Sequence, residues 1–153
     1  MHKMQESSRL EKAIRTGGYG NELDKDPYLN WSNEKIKEFA SKVFPELFKD
    51  ANSPDFEKQL MIGNDPNIAG RACKEFTVDA SGKYTVRSLG KILIRSNVLN
   101  SIRQLATTVG HELNHVVDHI SGDYANWANH NSAGVAHSLS ETKATNWEIY
   151  MRQ

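Results

Sequence analysis

Only one cysteine, Cys73, occurs in 153 residues, which excludes an intrachain disulfide and any cysteine-rich zinc cluster. The fold must therefore hold by packing, with a metal as the one available staple. Charge of one sign is also missing. Nineteen basic and nineteen acidic side chains cancel, and no Lys/Arg block stands out, so the electrostatic footprint of a nucleic-acid binder is absent. No apolar stretch approaches the roughly 20 residues that span a bilayer, so no membrane partner is expected. The opening "MHKMQESSRLEK" is polar and lacks the apolar run of a signal peptide. The expectation is synthesis in the cytoplasm, with secretion or delivery into a target cell left to a larger system. Internal repeats and low-complexity tracts are absent too, which removes the solenoid classes.

What is there amounts to one domain's length of sequence. Residues 1–30 mix charge with the glycine cluster "TGGYGN" and read as a loosely attached start, leaving 31–153 as the domain proper. Ile36, Phe39, Ala40, Val43, Phe44 and Leu47 then recur at helical spacing behind a Ser32 or Asn33 cap, with Pro45 placed to kink or end that helix. After a Pro/Asn/Gly-rich connection, "KEFTVDASGKYTVRSLGKILIRSNVL" alternates apolar and polar residues, as two or three antiparallel strands would.

"NSIRQLATTVGHELNHVVDHISG" is the informative stretch. Ser101 and Gln104 spell a capping box and Gly122 a C-terminal stop. Ile102, Val109, Leu113, Val116 and Ile120 form one stripe, the expected core face, whereas His111, His115 and Asp118 fall on the opposite side. Two imidazoles at i and i+4 project from adjacent turns toward one point, where both can reach a metal at about 2.0–2.1 Å. Glu112 is rotated about 100° from His111. It is poorly placed as a ligand of the same ion but well placed beside a water that the metal activates, the arrangement of a hydrolytic zinc site.

Two histidines leave such a metal short of the usual three protein ligands. His119 lies about 12 Å along the axis from His111 and cannot share the ion. Glu141, in "HSLSETKATNWEIYM", is the preferred third ligand, on the first turn of a last helix reached across a loop over 121–137. Small Ala144 would let that helix come close. Ser138 and Glu141 also spell a capping box, and Glu148, Asp118 and His137 are the other candidates. Asp118 could instead orient a ligand histidine. Tyr150, Tyr124 and His137 are unranked candidates for stabilising an oxyanion. Trp127 and Trp147 read as core or cleft wall.

"HELNH" on a capped helix, followed by a glutamate in "SETKA", resembles the gluzincin type of zincin. Asp118 and Ser121 stand where a metzincin has Gly and His, which excludes that class. More narrowly, "KILIRSNVLNSIRQLATTVGHELNHVVDHISGDYANW" with "SLSETKATNW" is similar to metallopeptidase toxin or effector domains of bacterial RHS-repeat polymorphic proteins, over about residues 90–150. The resemblance implies an α+β, zincin-like fold, a small antiparallel sheet packed on the HExxH helix with additional N- and C-terminal helices. It implies Zn2+ on His111, His115 and Glu141, Glu112 as catalytic base, and the strand from Ile92 to Val98 bordering the cleft. Its partners would be a protein or peptide substrate and an immunity or inhibitor protein. Thr145 departs from the thermolysin pattern, in which an aspartate follows the ligand glutamate by four residues. Two alternatives stand beside this reading: a regulatory protease of the repressor-cleaving kind, and a binding module whose zinc is structural.

Overall fold

A computed structural model describes residues 7–25 and 28–153. Residues 1–6, part of the expected N-terminal segment, lie outside it. Ser8 caps the first helix, α1 (Arg9–Thr16), by accepting from the Glu11 amide, and Leu10 and Ile14 on that helix are buried. A 3-10 turn at Gly20–Asp24 adds buried Leu23. These side chains join Tyr19 in the main hydrophobic cluster, so the described part of the segment expected to be loose is packed. Gly17 and Gly18 fall in the short connection between these two anchored turns, and Gly20 opens the second.

Ser32 caps α2 (Asn33–Val43) by accepting from the Lys35 amide. Pro45 opens a separate helix, α3 (Pro45–Asp50), at the first-turn position where a missing N–H costs nothing. The connection that follows contains a strand the sequence did not suggest, β1 (Asp55–Gln59), of which only Phe56 is buried. Then come β2 (Gly70–Val78) and β3 (Tyr84–Arg95), joined by a turn in which the Asp79 carboxylate accepts from the Ser81 and Lys83 amides.

The sheet order is β1-β3-β2. β1 runs parallel and β2 antiparallel to β3, so the sheet is mixed, where an antiparallel one was expected. A second correction follows from that order: β3, which holds the "KILIR" segment expected to border the cleft, is the central strand and has no free edge. Val98 lies beyond it, in a 3-10 turn at Ser96–Asn100.

Ser101 caps α4 (Ile102–Ser121) by accepting from the Gln104 amide, and Gly122 ends it at φ +90°. Ile102, Leu105, Val109, Leu113 and Val116 pack into the main core beside Ile36, Phe39, Ile92 and Ile94. Ile120, expected in that stripe, is 39% exposed, because the stripe outruns the elements that cover it. The opposite face is covered as well: Asp118 is fully buried there. It is covered by two helices, α5 (Asp123–His130) and α6 (Ala133–Met151). The expected loop over 121–137 thus contains α5, and α6 starts at a Ser132 cap. Glu141 consequently sits in the third turn of α6, and its capping box with Ser138 does not exist. The chain is therefore α+β, with six helices and a three-stranded sheet among the described residues.

Gly110 explains how α6 lies so close to α4. A Cβ at Gly110 would sit 1.8 Å from the Trp147 ring, so the indole rests on bare backbone, with its ring centroid 5.3 Å from that of Phe44 in an edge-on arrangement. Ala144, fully buried one turn earlier, leaves room for the same approach. Gly110→Ala should therefore destabilise the fold although alanine is the better helix former. Overpacking typically costs about 1–3 kcal/mol. A lower thermal midpoint is the expected result, and an unchanged or raised one would contradict this packing.

Candidate metal centre

Three donor atoms converge where α4 and α6 face each other. The Nε2 atoms of His111 and His115 are 3.1 Å apart. Glu141 spans both, with Oε1 3.1 Å from His111 Nε2 and Oε2 3.0 Å from His115 Nε2. Ligands at about 2.0–2.1 Å from one tetrahedral ion are about 3.3 Å apart, so the spacing suits a small divalent cation. The cluster of His111, His115 and Glu141 could hold a metal ion.

The protons on the two rings strengthen that fit. His111 Nδ1 lies 2.7 Å from Glu148 Oε1, a carboxylate that can only accept. The ring proton is thereby assigned to Nδ1, which leaves the Nε2 lone pair facing His115. His115 Nδ1 lies 2.7 Å from Ser140 Oγ, while that hydroxyl donates to Asp118 Oδ2 at 2.7 Å. With its one hydrogen committed, Ser140 must accept from His115, so the second Nε2 is also a bare lone pair. Burial and the neighbouring His111 hold the His115 imidazole below its usual pKa, which keeps it neutral. Two lone pairs and a carboxylate at contact distance repel one another unless a cation lies between them. That donor chemistry fits a metal.

Asp118, weighed as a ligand or as a direct partner of a histidine, is neither. It acts on His115 through Ser140, and its second oxygen accepts from Lys143 Nζ at 2.6 Å, so the fully buried carboxylate is satisfied on both sides. Glu148, weighed as a ligand, holds His111 instead. Thr145 is exposed, and Glu148, seven residues beyond Glu141, supplies the carboxylate whose absence at 145 was noted. Ser140 and Lys143 went unnoticed in the sequence. Once α6 is known to begin at Ala133, the spacing of 140, 144 and 147–148 would have placed Ser140 and Glu148 on the face toward α4.

Glu112 is 7% exposed and takes no part in the three-donor cluster. Strand β2 covers it: a Cβ on Gly70 would come within 2.9 Å of Glu112 Cγ and 3.0 Å of Thr108 Cγ2. Burial is the main cause that pushes its carboxyl up to about 7, opposed by His111 and the Ala72 amide and reinforced by Glu141. A carboxyl balanced near neutrality beside a metal centre suits proton transfer.

The cluster opens on a cleft of about 690 Å³ whose walls include β2 from Gly70 to Lys74, Tyr124 and His137. Of the three oxyanion candidates, Tyr124 and His137 line it. Tyr150 does not: it is exposed, with the Arg9 guanidinium 4.1 Å over its ring. Trp147 belongs to the main core and Trp127 packs against the smaller cluster of Tyr124, Ala128 and Ala136. His119 lies off the metal cluster, further along the cleft wall. Comparison of the chain with protein-family models, curated proteins and solved structures finds no match, so the site is read from its own residues.

Two outcomes are expected. Ser140→Ala and Glu148→Gln should each weaken zinc binding about 10–100-fold, the usual loss when a ligand histidine's outer partner is removed; competition with a chromophoric chelator measures it. In metal-free protein, the raised Glu112 carboxyl makes the folded state hold a proton that the unfolded chain loses near 4.5. Its penalty is therefore absent below about pH 4.5, grows as pH rises and is complete above about pH 7, at roughly 3 kcal/mol. Glu112→Gln should raise the thermal midpoint at pH 8 and leave it nearly unchanged at pH 4.

Proposed function

We propose that the chain is a zinc-dependent endopeptidase with a gluzincin-type centre. The observation that carries the reading is Glu112, buried and held near neutrality next to three converging donors on an open cleft. Three protein donors that leave one side free are the pattern of catalytic zinc, whereas structural sites are closed by four. When bound, zinc supplies Lewis acidity that polarises a substrate carbonyl and makes water acidic.

The chain's own residues then have distinct tasks. Glu148 and the Ser140–Asp118–Lys143 chain hold both imidazoles in the tautomer that turns Nε2 inward. Glu112 accepts a proton from the attacking water as its oxygen bonds the carbonyl carbon, and passes it to the departing amine nitrogen as the C–N bond breaks. His137, one turn before Glu141 on the same face of α6, is the better placed of the two cleft residues to donate to the developing oxyanion. β2 replaces β3 as the strand beside which an extended peptide would lie. Among the described residues it pairs only with β3, so its other edge offers main-chain hydrogen bonds to a substrate.

The bacterial toxin or effector setting, with an immunity or inhibitor protein as partner, rests on the resemblance of residues 90–150. No helix among the described residues is long and apolar enough to cross a membrane, which is compatible with a protein substrate in solution. Glu112→Gln tests the chemistry. It should retain zinc stoichiometrically while peptide cleavage falls about 10²–10⁴-fold, followed by mass spectrometry of a digested proteome. Undiminished cleavage by that variant would remove Glu112 from the mechanism.

A further inference from the structure

The cleft changes sign along its length. All acidic residues that line it, Glu112, Glu141 and Glu148, belong to the metal end, while Lys74 and His119 line the wall beyond. Arg71 and Lys74 form no ion pair among the described residues. Lys74 is partly buried, its Nζ 5.3 Å over the Tyr124 ring. Burial and the like charge of Arg71 push its pKa down, the mark of a desolvated cation lacking an anion.

His119 adds an independent sign. It is 5% exposed and its Nδ1 is fully enclosed without a partner. Buried acceptors go unpaired more often than buried N–H groups, so the ring proton is assigned to Nε2. That nitrogen is not fully enclosed and makes no hydrogen bond in the fold. A donor and an unpaired cation therefore gather around the Tyr124 ring, with no carboxylate among the described residues paired to either.

Two independent lengths agree on where that place lies. From Gly70, which abuts Glu112, to Lys74 is four residues of strand, about 13 Å. From Glu112 to His119 is seven residues of helix, about 10 Å. β2 and α4 thus carry the two ends of the cleft side by side, and Gly70, Ala72 and Lys74 share one face of the strand.

We propose that this end of the cleft is a subsite for a carboxylate of the substrate, either an acidic side chain or a chain-terminal carboxylate, about four residues from the bond held at the metal centre. The register rests on the peptidase reading above; the preference for an anion does not. Lys74 supplies the charge and His119 an N–H, and charge-assisted contacts of this kind are the strong ones.

Binding and cleavage separate the two ideas. Fluorescein-labelled ten-residue peptides of Gly, Ala and Ser, carrying one Glu, Gln or Lys and amidated at the C-terminus, are titrated by anisotropy into zinc-loaded Glu112→Gln protein. A fourth peptide carries Gln and a free C-terminal carboxylate. The Glu peptide, or the free-carboxylate peptide if a chain terminus is the ligand, should bind at least about tenfold tighter than the amidated Gln and Lys peptides. Lys74→Met, which keeps an unbranched side chain of similar length without the charge, should erase most of that preference without lowering the thermal midpoint. Equal or absent binding of all four peptides, or a preference that survives Lys74→Met, overturns the subsite. Cleavage by the wild-type protein about four residues from Glu supports the register. Cleavage indifferent both to Glu and to a free C-terminal carboxylate overturns the subsite and spares the peptidase reading. Selective binding with no cleavage does the opposite, leaving the carboxylate subsite and removing the register.

Discussion

The seat of the Trp147 indole on the bare backbone of Gly110 sets how closely α6 lies on α4, and the candidate metal centre of His111, His115 and Glu141 is built from side chains of those two helices alone. Glu141 must reach both histidines from across that gap, and Ser140 and Glu148 must reach the rear nitrogens of the same rings. Each contact is a hydrogen-bond or ligand distance of about 3 Å, so a displacement of one methyl group would break several together. The cost of placing glycine in the middle of a twenty-residue helix is offset by the precision of that approach.

Polar groups in this region are buried with partners, His119 Nδ1 excepted. Asp118 is fully enclosed yet doubly satisfied, and its role is to fix a ring two bonds away. Glu112 is enclosed by β2 with little compensation, and its charge is correspondingly expensive. His119 is enclosed with one nitrogen unserved. Glu112 and His119 both line the cleft, whereas the doubly satisfied Asp118 stands behind the candidate metal ligands, where rigidity matters. Stability is thus weakest where chemistry is proposed and strongest in the frame that aims it.

Much of the frame was legible in the sequence because it depends on neighbours in the chain. The caps at Ser32 and Ser101, the stop at Gly122 and the convergence of His111 and His115 are one-helix properties, fixed by 3.6 residues per turn. Strand β1 was not legible: four of its five residues are polar or charged, as suits a sheet edge, and its pairing with β3 is set by residues more than thirty positions away. The start of α6 was misplaced for a related reason. Its inward face alternates Ala136, Ala144 and Trp147 with Ser140, Glu141 and Glu148, so the hydrophobic period that reveals a helix is erased by the polar groups that serve the site.

The sequence by itself determined that two imidazoles and a carboxylate share a capped helix, and it narrowed the third donor to a few residues of the following segment. Tertiary structure alone decided among them, giving Glu141 to the donor cluster, Glu148 and Ser140 to the rear of the rings, and Asp118 to a place behind Ser140. It also made β2, not β3, the wall of the cleft. The physical reason is the range of the forces involved: helical geometry acts over four residues and is written locally, whereas the meeting of α4, α6 and β2 depends on which surfaces exclude water together.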